Sequence, residues 1–384
     1  MKILHFCAGN QFIENLEYQE NVFPRKHKEL GHEVKVFCNT YTFNPDGTKG
    51  KKEVGTYINR DGIEVTVLPY KKGKFNESFK KYDGVYEKIE AYAPDVIFIH
   101  GTQSFSMGDV KKYKRKHKQV KIYADQHGDY INTPVDTFKR RILHTVIWGT
   151  QVRKAGRFCE MVWGVLPLRV RYLREVYKLP KKKTELLVMG GDESKINFDN
   201  KDGIRTAVRE KYGILQDDFL MVTGGKIDSL KNIHLLVEAV KGIENDKIKL
   251  LIFGEPSPEL KPFFDEINDA RIIKAGWVDS AYAYDLFLAS DLAVFPGSHS
   301  VLWEQAAATG VPLIVKKWDG LNHIDVGGNC LFTEGDSAEN IKSVIEKVIC
   351  EDGVYDKMMQ TAQSVGIKTF SYREIAKRAI GLDK

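Results

Sequence analysis

The amino-acid sequence predicts an α/β protein with two doubly wound domains. The chain has 384 residues, of which 42% are hydrophobic, and this length exceeds what one ordinary core accommodates. Short apolar runs typical of buried strands alternate with longer segments of helical spacing, which favours parallel sheets covered by helices. The net charge also differs between the two halves of the chain. Residues 1–183 hold 35 basic and 20 acidic side chains, and residues 184–384 hold 23 basic and 32 acidic side chains. We therefore expect one domain over 1–183 and a second over 184–365.

The first predicted domain repeats a strand, a loop and a helix. Apolar runs predict its strands, and the i, i+3, i+4 spacing of apolar residues predicts its helices. A Lys- and Gly-rich stretch at 49–74 predicts a hairpin-like insertion, and 178–183, with Pro180 and three lysines, predicts the linker. The strands are expected at 2–6, 33–37, 96–99, 120–123 and 161–165, and the helices at 16–30 and 77–92.

The second predicted domain shows the same alternation more regularly. Ligands of doubly wound sheets bind at the carboxyl ends of the strands, so the chemistry of both Rossmann-like domains is expected in loops that directly follow strands. The strands of this domain are expected at 184–189, 219–222, 249–253, 271–275, 292–295, 312–316 and 330–332.

The loop at 224–232 combines two glycines with Lys226 and Lys231 and leads into a helix. Glycines let the backbone approach a ligand, the start of the helix offers free N–H groups, and the lysines supply positive charge. The loop therefore predicts a diphosphate site. The alternative is a solvated turn in which Asn232 caps the helix.

A second loop, at 296–301, leads into a helix that carries Glu304 about one turn in. A carboxylate at that position can accept two hydrogen bonds from the vicinal diol of a ribose. The alternative is a glutamate that only complements the helix dipole.

In the first domain, His127 follows a strand and precedes Gly128, so its side chain could reach a substrate hydroxyl, although a lone histidine is more often structural. Gly9 and Asn10 form a short glycine turn after the first strand, and His100 is a weaker candidate of the same kind as His127. The nicotinamide fingerprint, the P-loop and the hydrolase nucleophile elbow are absent. An Asp-x-Asp metal pair is absent too, so the lysines and a helix N-terminus are expected to replace a metal.

The second half of the chain resembles the retaining GT-B glycosyltransferases of family 4, also called glycosyltransferases group 1. The loop at 225–232, with the sequence GKIDSLKN, resembles that family's G-R-L-D-x-x-K-N loop, and 304–315 resembles its E-A-x-A-x-G-x-P-V-I pattern. Further similar segments, in the same order, are 250–255, 276–278 and 289–296. In the first half, only 31–34 and 127–129 are similar.

The resemblance implies two facing domains and the transfer of a sugar, with retention of configuration and without a metal. The donor would be UDP- or GDP-linked, and the acceptor would be a glycan or a lipid-linked saccharide of bacterial surface polysaccharide. The resemblance also implies that the last helix, within 366–384, crosses back to the first domain.

Family roles carry over to matching positions. Lys226 and Lys231 would hold the diphosphate and assist its departure, Glu304 would hold the ribose, and His127 would contact the transferred sugar. The full implied donor set is Gly9, Asn10, Gly225, Lys226, Lys231, Gly254, Val278, Ser298, His299, Ser300, Val301, Leu302 and Glu304. The sequence departs from the family at Lys226, where Arg is usual, and at Pro296, where a first Glu is usual. The sugar contact of that Glu is therefore expected from the 297–302 backbone, Ser298, His299 or Ser300.

Two alternatives remain open: a GT-B nucleotide-sugar epimerase, and a non-catalytic GT-B partner subunit. The chain begins with a strand-like run instead of a signal peptide, so we expect a cytoplasmic protein. Basic clusters at 111–118 and 139–157, with the apolar stretch 142–148, predict peripheral docking on the anionic inner face of the plasma membrane. The alternative is a solvated helix face. Nucleic acid is not expected, since no stacking aromatics interleave with the basic cluster.

Overall fold

The structure is a computed structural model and describes residues 1–14, 16–44 and 48–383. The chain divides into two compact units, one made of Met1–Val188 with Ile375–Lys384, the other of Met189–Glu374. The end of the chain therefore packs with unit 1. The division falls just beyond the boundary expected at residue 183.

Unit 1 is built on an eight-stranded sheet in which all neighbours are parallel except β5 and β6. Its strand order is β10-β9-β8-β7-β1-β2-β6-β5, and β3 and β4 form a separate hairpin. The order reverses between β1 and β7, which makes their carboxyl ends the switch point where ligands bind in such sheets. The strands are β1 (Lys2–Phe6), β2 (Glu33–Cys38), β3 (Tyr41–Phe43), β4 (Lys49–Lys51), β5 (Gly55–Ile58), β6 (Glu64–Val67), β7 (Val96–His100), β8 (Lys121–Gln126), β9 (Met161–Gly164) and β10 (Thr184–Leu186).

Helices cover this sheet, and all of them except the four-residue fourth helix contribute buried side chains. On the second helix, Val85, Ile89 and Tyr92 follow the helical spacing and are all buried. A π-helical stretch, Ile142–Trp148, joins the fourth helix to the fifth. The helices are α1 (Gln19–Glu29), α2 (Val85–Tyr92), α3 (Met107–Lys116), α4 (Phe138–Arg141), α5 (Gly149–Phe158) and α6 (Pro167–Glu175).

Three sequence expectations for this unit need correction. Thr184–Leu186 pairs in parallel with Val162–Gly164, so this strand belongs to the first sheet and not to the second domain. The helix expected from residue 77 begins only at Val85, because Gly84 before it has a left-handed backbone conformation. The hairpin expected within 49–74 is β5 with β6, yet β6 also pairs with β2 and is thus part of the main sheet.

Unit 2 has a six-stranded parallel sheet of order β13-β12-β11-β14-β15-β16. Counted from β11, this is the 3-2-1-4-5-6 order of dinucleotide-binding folds, with its switch point between β11 and β14. Its strands are β11 (Phe219–Gly224), β12 (Ile248–Phe253), β13 (Ile272–Gly276), β14 (Leu292–Phe295), β15 (Leu313–Lys316) and β16 (Cys330–Thr333). Its helices are α7 (Lys201–Lys211), α8 (Ile233–Lys241), α9 (Lys261–Asp265), α10 (Ser280–Ala289), α11 (Leu302–Ala308), α12 (Ala338–Cys350), α13 (Val354–Thr361) and α14 (Ile367–Thr369).

The last helix, α15 (Tyr372–Ala379), ends within the segment that packs with unit 1. Two buried side chains of unit 1 contact backbone carbonyls in the last turn of α15. Trp163 donates to the Ala379 carbonyl over 3.1 Å, and His27 lies 2.8 Å from the Ala376 carbonyl. Such bonds satisfy carbonyls that the end of a helix leaves free. In the described parts of the chain, no helix is both long and apolar enough to cross a membrane.

Candidate functional site

Two loops lie side by side at the switch point of unit 2. The loop after β14 is fastened to the loop after β11 through Ser298, whose N–H donates to the Leu230 carbonyl over 2.8 Å. The Lys231 ammonium donates to the carbonyls of Ser298 and His299 over 2.9 and 3.0 Å. A side chain at Gly297 would overlap the backbone of Lys231, so only glycine permits this approach. The two loops therefore form one fixed wall.

An open pocket of about 410 Å³ lies beside this wall. A side chain at Gly254, whose φ is +109°, would overlap the Gly225 carbonyl, so two glycines set the close contact of the β11 and β12 loops. Trp277 stands 73% exposed at the pocket, and its backbone N–H donates to Glu255 over 3.2 Å. The lining residues are Gly225, Lys226, Phe253, Gly254, Glu255, Trp277, Val278, Asp279, Ser280, Ala283, Leu302 and Gln305.

The structure thus brings together Gly225, Lys226, Gly254, Val278 and Leu302 from the sequence-predicted donor set. These residues come from four separate loops or helix starts, all at the carboxyl edge of the sheet. The exposed indole of Trp277 offers a surface for an aromatic ring, and Lys226 offers a positive charge. The two carboxylates of the lining, Glu255 and Asp279, accept from backbone N–H groups.

The two predicted lysines stand in different environments. The Lys226 side chain is 78% exposed and lies 3.0 Å from Asp228. Lys231 is half-buried, and burial lowers its pKa. Because an ammonium has three N–H donors, Lys231 keeps one donor beyond the two that hold the 298–299 carbonyls.

Glu304 is fully buried and does not line the open pocket. Its Oε1 lies 2.9 Å from the Nε2 atom of His299 and 2.8 Å from that of His323. Burial by itself would raise the pKa of Glu304, but the two histidines lower it to about 2. The expectation that this carboxylate looks into the crevice is thus not met: α11 begins at Leu302, which turns Leu302 and Gln305 to the pocket and Glu304 to the interior.

His299, Glu304 and His323 also offer donor atoms that lie within 4.8 Å of one another. Two imidazoles and a carboxylate are ligand types that zinc accepts. Hydrogen bonds from the two rings to one carboxylate oxygen account equally well for the short distances between these three residues. Whether the cluster binds a metal is tested by assaying activity with a chelator.

Ser298 and Ser300 line a separate, enclosed space with Lys231, Thr223 and Trp303. The hydroxyl of Thr223 and the indole nitrogen of Trp303 are buried without a hydrogen-bond partner. The free space, about 10 Å³, is close to that of one water molecule. The two serines therefore line this enclosed space and not the open pocket. Val301 immediately precedes α11.

In unit 1, the switch point joins the loops after β1 and β7. The N–H groups of Gly9 and Asn10 both donate to the His100 carbonyl, over 3.0 and 3.1 Å. A Cβ at Gly9 would stand 2.6 Å from the Gly101 oxygen, so the contact of the two loops requires glycine. The Asn10 amide donates to the buried Glu20 carboxylate over 2.7 Å.

His127 lies at the end of β8, next to this switch point, and contacts a carboxylate that the sequence reading did not select. Its Nε2 is 3.5 Å from Oδ1 of the buried Asp125, whose Oδ2 is 2.8 Å from Nδ1 of His100. Burial alone would lower the pKa of His127, but Asp125 raises it above its usual value. The raised pKa and the carboxylate partner are features of histidines that handle protons or charged groups.

Comparison with known proteins agrees with this architecture. Two doubly wound units with polar loops at both switch points have the fold of GT-B glycosyltransferases. A glycosyltransferase from Rickettsia africae matches with a TM-score of 0.66 at 15% identity, over 100% of this chain and 97% of that chain. Anabaena HepE in complex with UDP matches with 0.65 at 14% identity, over 98% of each chain. Sucrose-phosphate synthase from Thermosynechococcus elongatus matches with 0.62 at 16%, over 98% of this chain and 96% of that chain.

A family model matches part of unit 2. Residues 204–365 match the family model described as glycosyl transferases group 1. This segment is therefore similar to group 1 glycosyltransferases, and the chain as a whole has the fold of GT-B glycosyltransferases. No curated protein matches the sequence.

Proposed function

We propose that this protein transfers a sugar from a UDP- or GDP-linked donor to a hydroxyl of a glycan or a lipid-linked saccharide, with retention of configuration and without a metal. The observation that carries the proposal is the open pocket of unit 2. It lies inside the glycosyl transferases group 1 domain, at the switch point of its sheet, and gathers predicted donor residues from separate loops. HepE, which shares the fold, was solved with UDP.

Within this pocket the nucleobase would lie against Trp277 and Val278, since an exposed indole beside a backbone wall offers a stacking surface. The diphosphate would lie against Lys226 and extend to the remaining donor of Lys231, which lines the adjacent enclosed space and not the open pocket itself. Two cations fixed near the departing diphosphate would stabilise the charge that develops as the sugar–phosphate bond breaks.

The ribose contact has two candidates. Glu304 is the residue that the family resemblance implies, and its Oε2 is buried without a hydrogen-bond partner. Gln305 already lines the open pocket. Comparing Glu304→Gln with Gln305→Ala by calorimetry separates them: loss of diphosphate affinity only in the Gln305 variant would assign the diol to Gln305.

Tryptophan fluorescence provides a direct test of the pocket. Trp148, Trp163 and Trp303 are buried, whereas Trp277 is exposed beside the pocket. Titration with UDP or GDP should change the emission of the wild-type protein and leave that of Trp277→Phe nearly unchanged. Trp318→Phe, which removes a 37% exposed indole outside the pocket lining, is the matched control and should keep the change. An identical response in Trp277→Phe and the wild type would contradict the placement of the nucleobase.

The transfer itself is tested with a panel of nucleotide sugars. Release of nucleoside diphosphate that requires an added saccharide acceptor would support transfer, and NMR of the new anomeric centre would show retention or inversion. Interconversion of two nucleotide sugars without an acceptor would instead indicate the epimerase alternative. Binding of nucleotide without turnover of any donor would favour the non-catalytic alternative.

We further propose that unit 1 docks peripherally on an anionic membrane, where a lipid-linked acceptor would be found. Phe138, Ile142 and Val146 follow one another at four-residue spacing and are 77%, 39% and 56% exposed. Basic side chains at 139–141 adjoin them, which is the arrangement of an interfacial helix. Both basic clusters include paired cations: at 111–118, Lys116 is paired with Glu90 and Lys114 donates to backbone carbonyls, and at 139–141, Arg140 is paired with Asp136.

Co-sedimentation with neutral and anionic vesicles tests the docking. Binding should require anionic lipid, weaken as salt rises, and fall in Phe138→Ser. Leu215→Ser, which alters a 65% exposed apolar side chain of unit 2, is the control and should bind like the wild type. Lack of binding to anionic vesicles at low salt would overturn this proposal and indicate a soluble acceptor.

A further inference from the structure

Unit 1 contains a continuous chain of buried hydrogen-bonding groups that leads from the last helix, α15, to Asp125, the carboxylate beside His127. The Ala376 carbonyl lies 2.8 Å from Nε2 of His27, whose Nδ1 is 2.9 Å from Nε2 of His5. Nδ1 of His5 is 3.0 Å from Nε2 of His100, and Nδ1 of His100 is 2.8 Å from Asp125. All three imidazoles and the carboxylate are 0% exposed. The neighbouring rings lie 5.0 and 5.3 Å apart, centroid to centroid, and are nearly parallel.

The carbonyl at the start fixes the direction of this chain, since a carbonyl can only accept. His27 must therefore carry its proton on Nε2, which leaves Nδ1 to accept from His5. By the same argument His5 carries its proton on Nε2 and accepts on Nδ1 from Nε2 of His100. Each neutral imidazole has one proton, so after three rings no proton remains for the contact between His100 and Asp125.

That last contact is nevertheless short, at 2.8 Å. Four hydrogen bonds link the carbonyl to Asp125, and three neutral rings supply three protons. A fourth proton must therefore reside on one of these groups. The extra proton does not reside on His27 or His5, because burial lowers the pKa of His27 to about 4 and holds that of His5 well below its usual value. The pKa of Asp125 is itself held down, since His100 and His127 outweigh the effect of its burial.

We propose that the His27–His5–His100 chain holds a proton on His100 as an imidazolium paired with ionised Asp125, and that Asp125 fixes the tautomer of His127. Nε2 of His127 lies 3.5 Å from Oδ1 of Asp125 and makes no hydrogen bond in the structure, so the carboxylate acts on the ring electrostatically. With Asp125 ionised, neutral His127 carries its proton on Nε2 and offers the lone pair of Nδ1. His127 is then an acceptor towards substrate and selects a ligand group that donates, such as a sugar hydroxyl. The role of His127 in transfer rests on the proposed function, whereas the proton arrangement does not.

Asp125 and the three buried histidines are positioning residues in this proposal, because they act through His127. The other charged groups that face His127 are Glu20, which favours its protonated form, and Arg169, which opposes it. His100 sits opposite Asp125 in the register of β7 and β8, and the Gly101 N–H donates to Asp125 over 3.1 Å. The Asp125 carboxylate is therefore held in place by His100 at one oxygen and by the Gly101 N–H at the other.

NMR of protein labelled with ¹⁵N at its ten histidines tests the arrangement directly at pH 7. We expect His27 and His5 to be neutral and protonated on Nε2, His100 to be protonated on both nitrogens, and the neutral form of His127 to be protonated on Nε2. A neutral His100, or His5 protonated on Nδ1, would overturn the proposal. The resonances are assigned from single His→Gln variants.

A variant at the far end of the chain gives a sharper test. In His27→Leu, His5 no longer has to donate from Nε2, so its proton can move to Nδ1 and be donated to Nε2 of His100. His100 then needs only one proton, the one on Nδ1 that it donates to Asp125. The doubly protonated signal of His100 should disappear, although His27 touches neither His100 nor Asp125. His117→Gln, which removes a histidine paired with Glu90 outside the chain, is the control and should leave the signal unchanged. Persistence of the signal in His27→Leu would contradict the proton count.

Kinetics test the functional part. Asp125→Asn keeps the size of the side chain but removes its charge, so kcat should fall about tenfold or more, with the KM for the donor within about twofold, and the titration of His127 should shift to lower pH. An unchanged kcat would overturn the positioning role. Failure of the proposed function would look different: the wild-type protein would show the NMR pattern and no turnover.

Discussion

The two lysines of the donor loop give the most informative pair of substitutions. Lys231→Met and Lys226→Met each remove an ammonium and keep most of the aliphatic stem. Lys231 holds the carbonyls of Ser298 and His299, whereas Lys226 is largely exposed with one ion-pair partner. Both variants should bind nucleoside diphosphate more weakly, but only Lys231→Met should also destabilise the fold.

The magnitudes follow from these contacts. Hydrogen bonds to a charged group contribute roughly 1.5–3 kcal/mol each. Two carbonyls lose such a donor in Lys231→Met, but the site is only half-buried and water replaces part of the loss, so the free energy of unfolding should fall by about 2 kcal/mol. For a domain of this size about 1 kcal/mol corresponds to about 2–4 °C in Tm, which gives about 4–8 °C. An exposed ion pair contributes about 0.2–1 kcal/mol, so Lys226→Met should lower Tm by at most a few degrees.

Thermal unfolding and calorimetry with UDP and GDP measure both effects on the same samples. Equal Tm for Lys231→Met and the wild type would refute the claim that this lysine fastens the two loops. Unchanged diphosphate affinity in both variants would refute the assignment of the diphosphate site.

Three further outcomes are expected. His127→Ala should lower turnover and leave the diphosphate affinity measured by calorimetry nearly intact, and equal losses in both would show that His127 is misplaced. Activity should persist in excess chelator, and its abolition with rescue by magnesium, manganese or zinc would indicate a metal, for which His299, Glu304 and His323 would be the first candidates. Burial would raise the pKa of Glu304, yet the two histidines bring it to about 2, below the value of about 4.3 for a free side chain. Its stabilisation is therefore complete above that free value and is lost as pH falls towards 2, so Glu304→Gln should flatten the acid dependence of urea unfolding; identical slopes in both proteins would contradict this.

The sequence predicted most of the sheet strands correctly for a physical reason. Apolar runs of four to six residues, such as Leu292–Phe295 and Ile248–Phe253, are buried on both faces of a parallel sheet and stand out from the polar loops. Glycines that follow such runs mark places where two backbones touch, as Gly225 and Gly254 do. Together with the family resemblance, these local signals named five of the twelve residues that line the pocket.

The orientation of Glu304 could not be predicted in the same way. Whether a helical side chain faces a pocket or the core depends on the residue at which the helix starts, and boundaries are the least certain part of a pattern-based prediction. The partner His323 lies 19 residues further along the chain, in a loop whose path no local pattern specifies.

The buried histidine chain was missed for a related reason. His5 and His100 occur as single polar residues inside or at the end of apolar strands, where a pattern reading treats them as exceptions. Only the register of β1, β7 and β8 places them beside one another and beside Asp125. The position of His27 depends in turn on how α1 packs on the sheet.

The central claim is that the open pocket of unit 2 binds the nucleotide of a nucleotide-sugar donor. Thermal unfolding of the full chain with UDP, GDP and their sugar conjugates tests it most directly, because a ligand at 100 times its Kd should stabilise the folded state by about 2.7 kcal/mol. We expect a rise in Tm with one base and a smaller rise with the other, both reduced in Lys226→Met. Unchanged Tm with every nucleoside diphosphate and nucleotide sugar at millimolar concentration would contradict the claim.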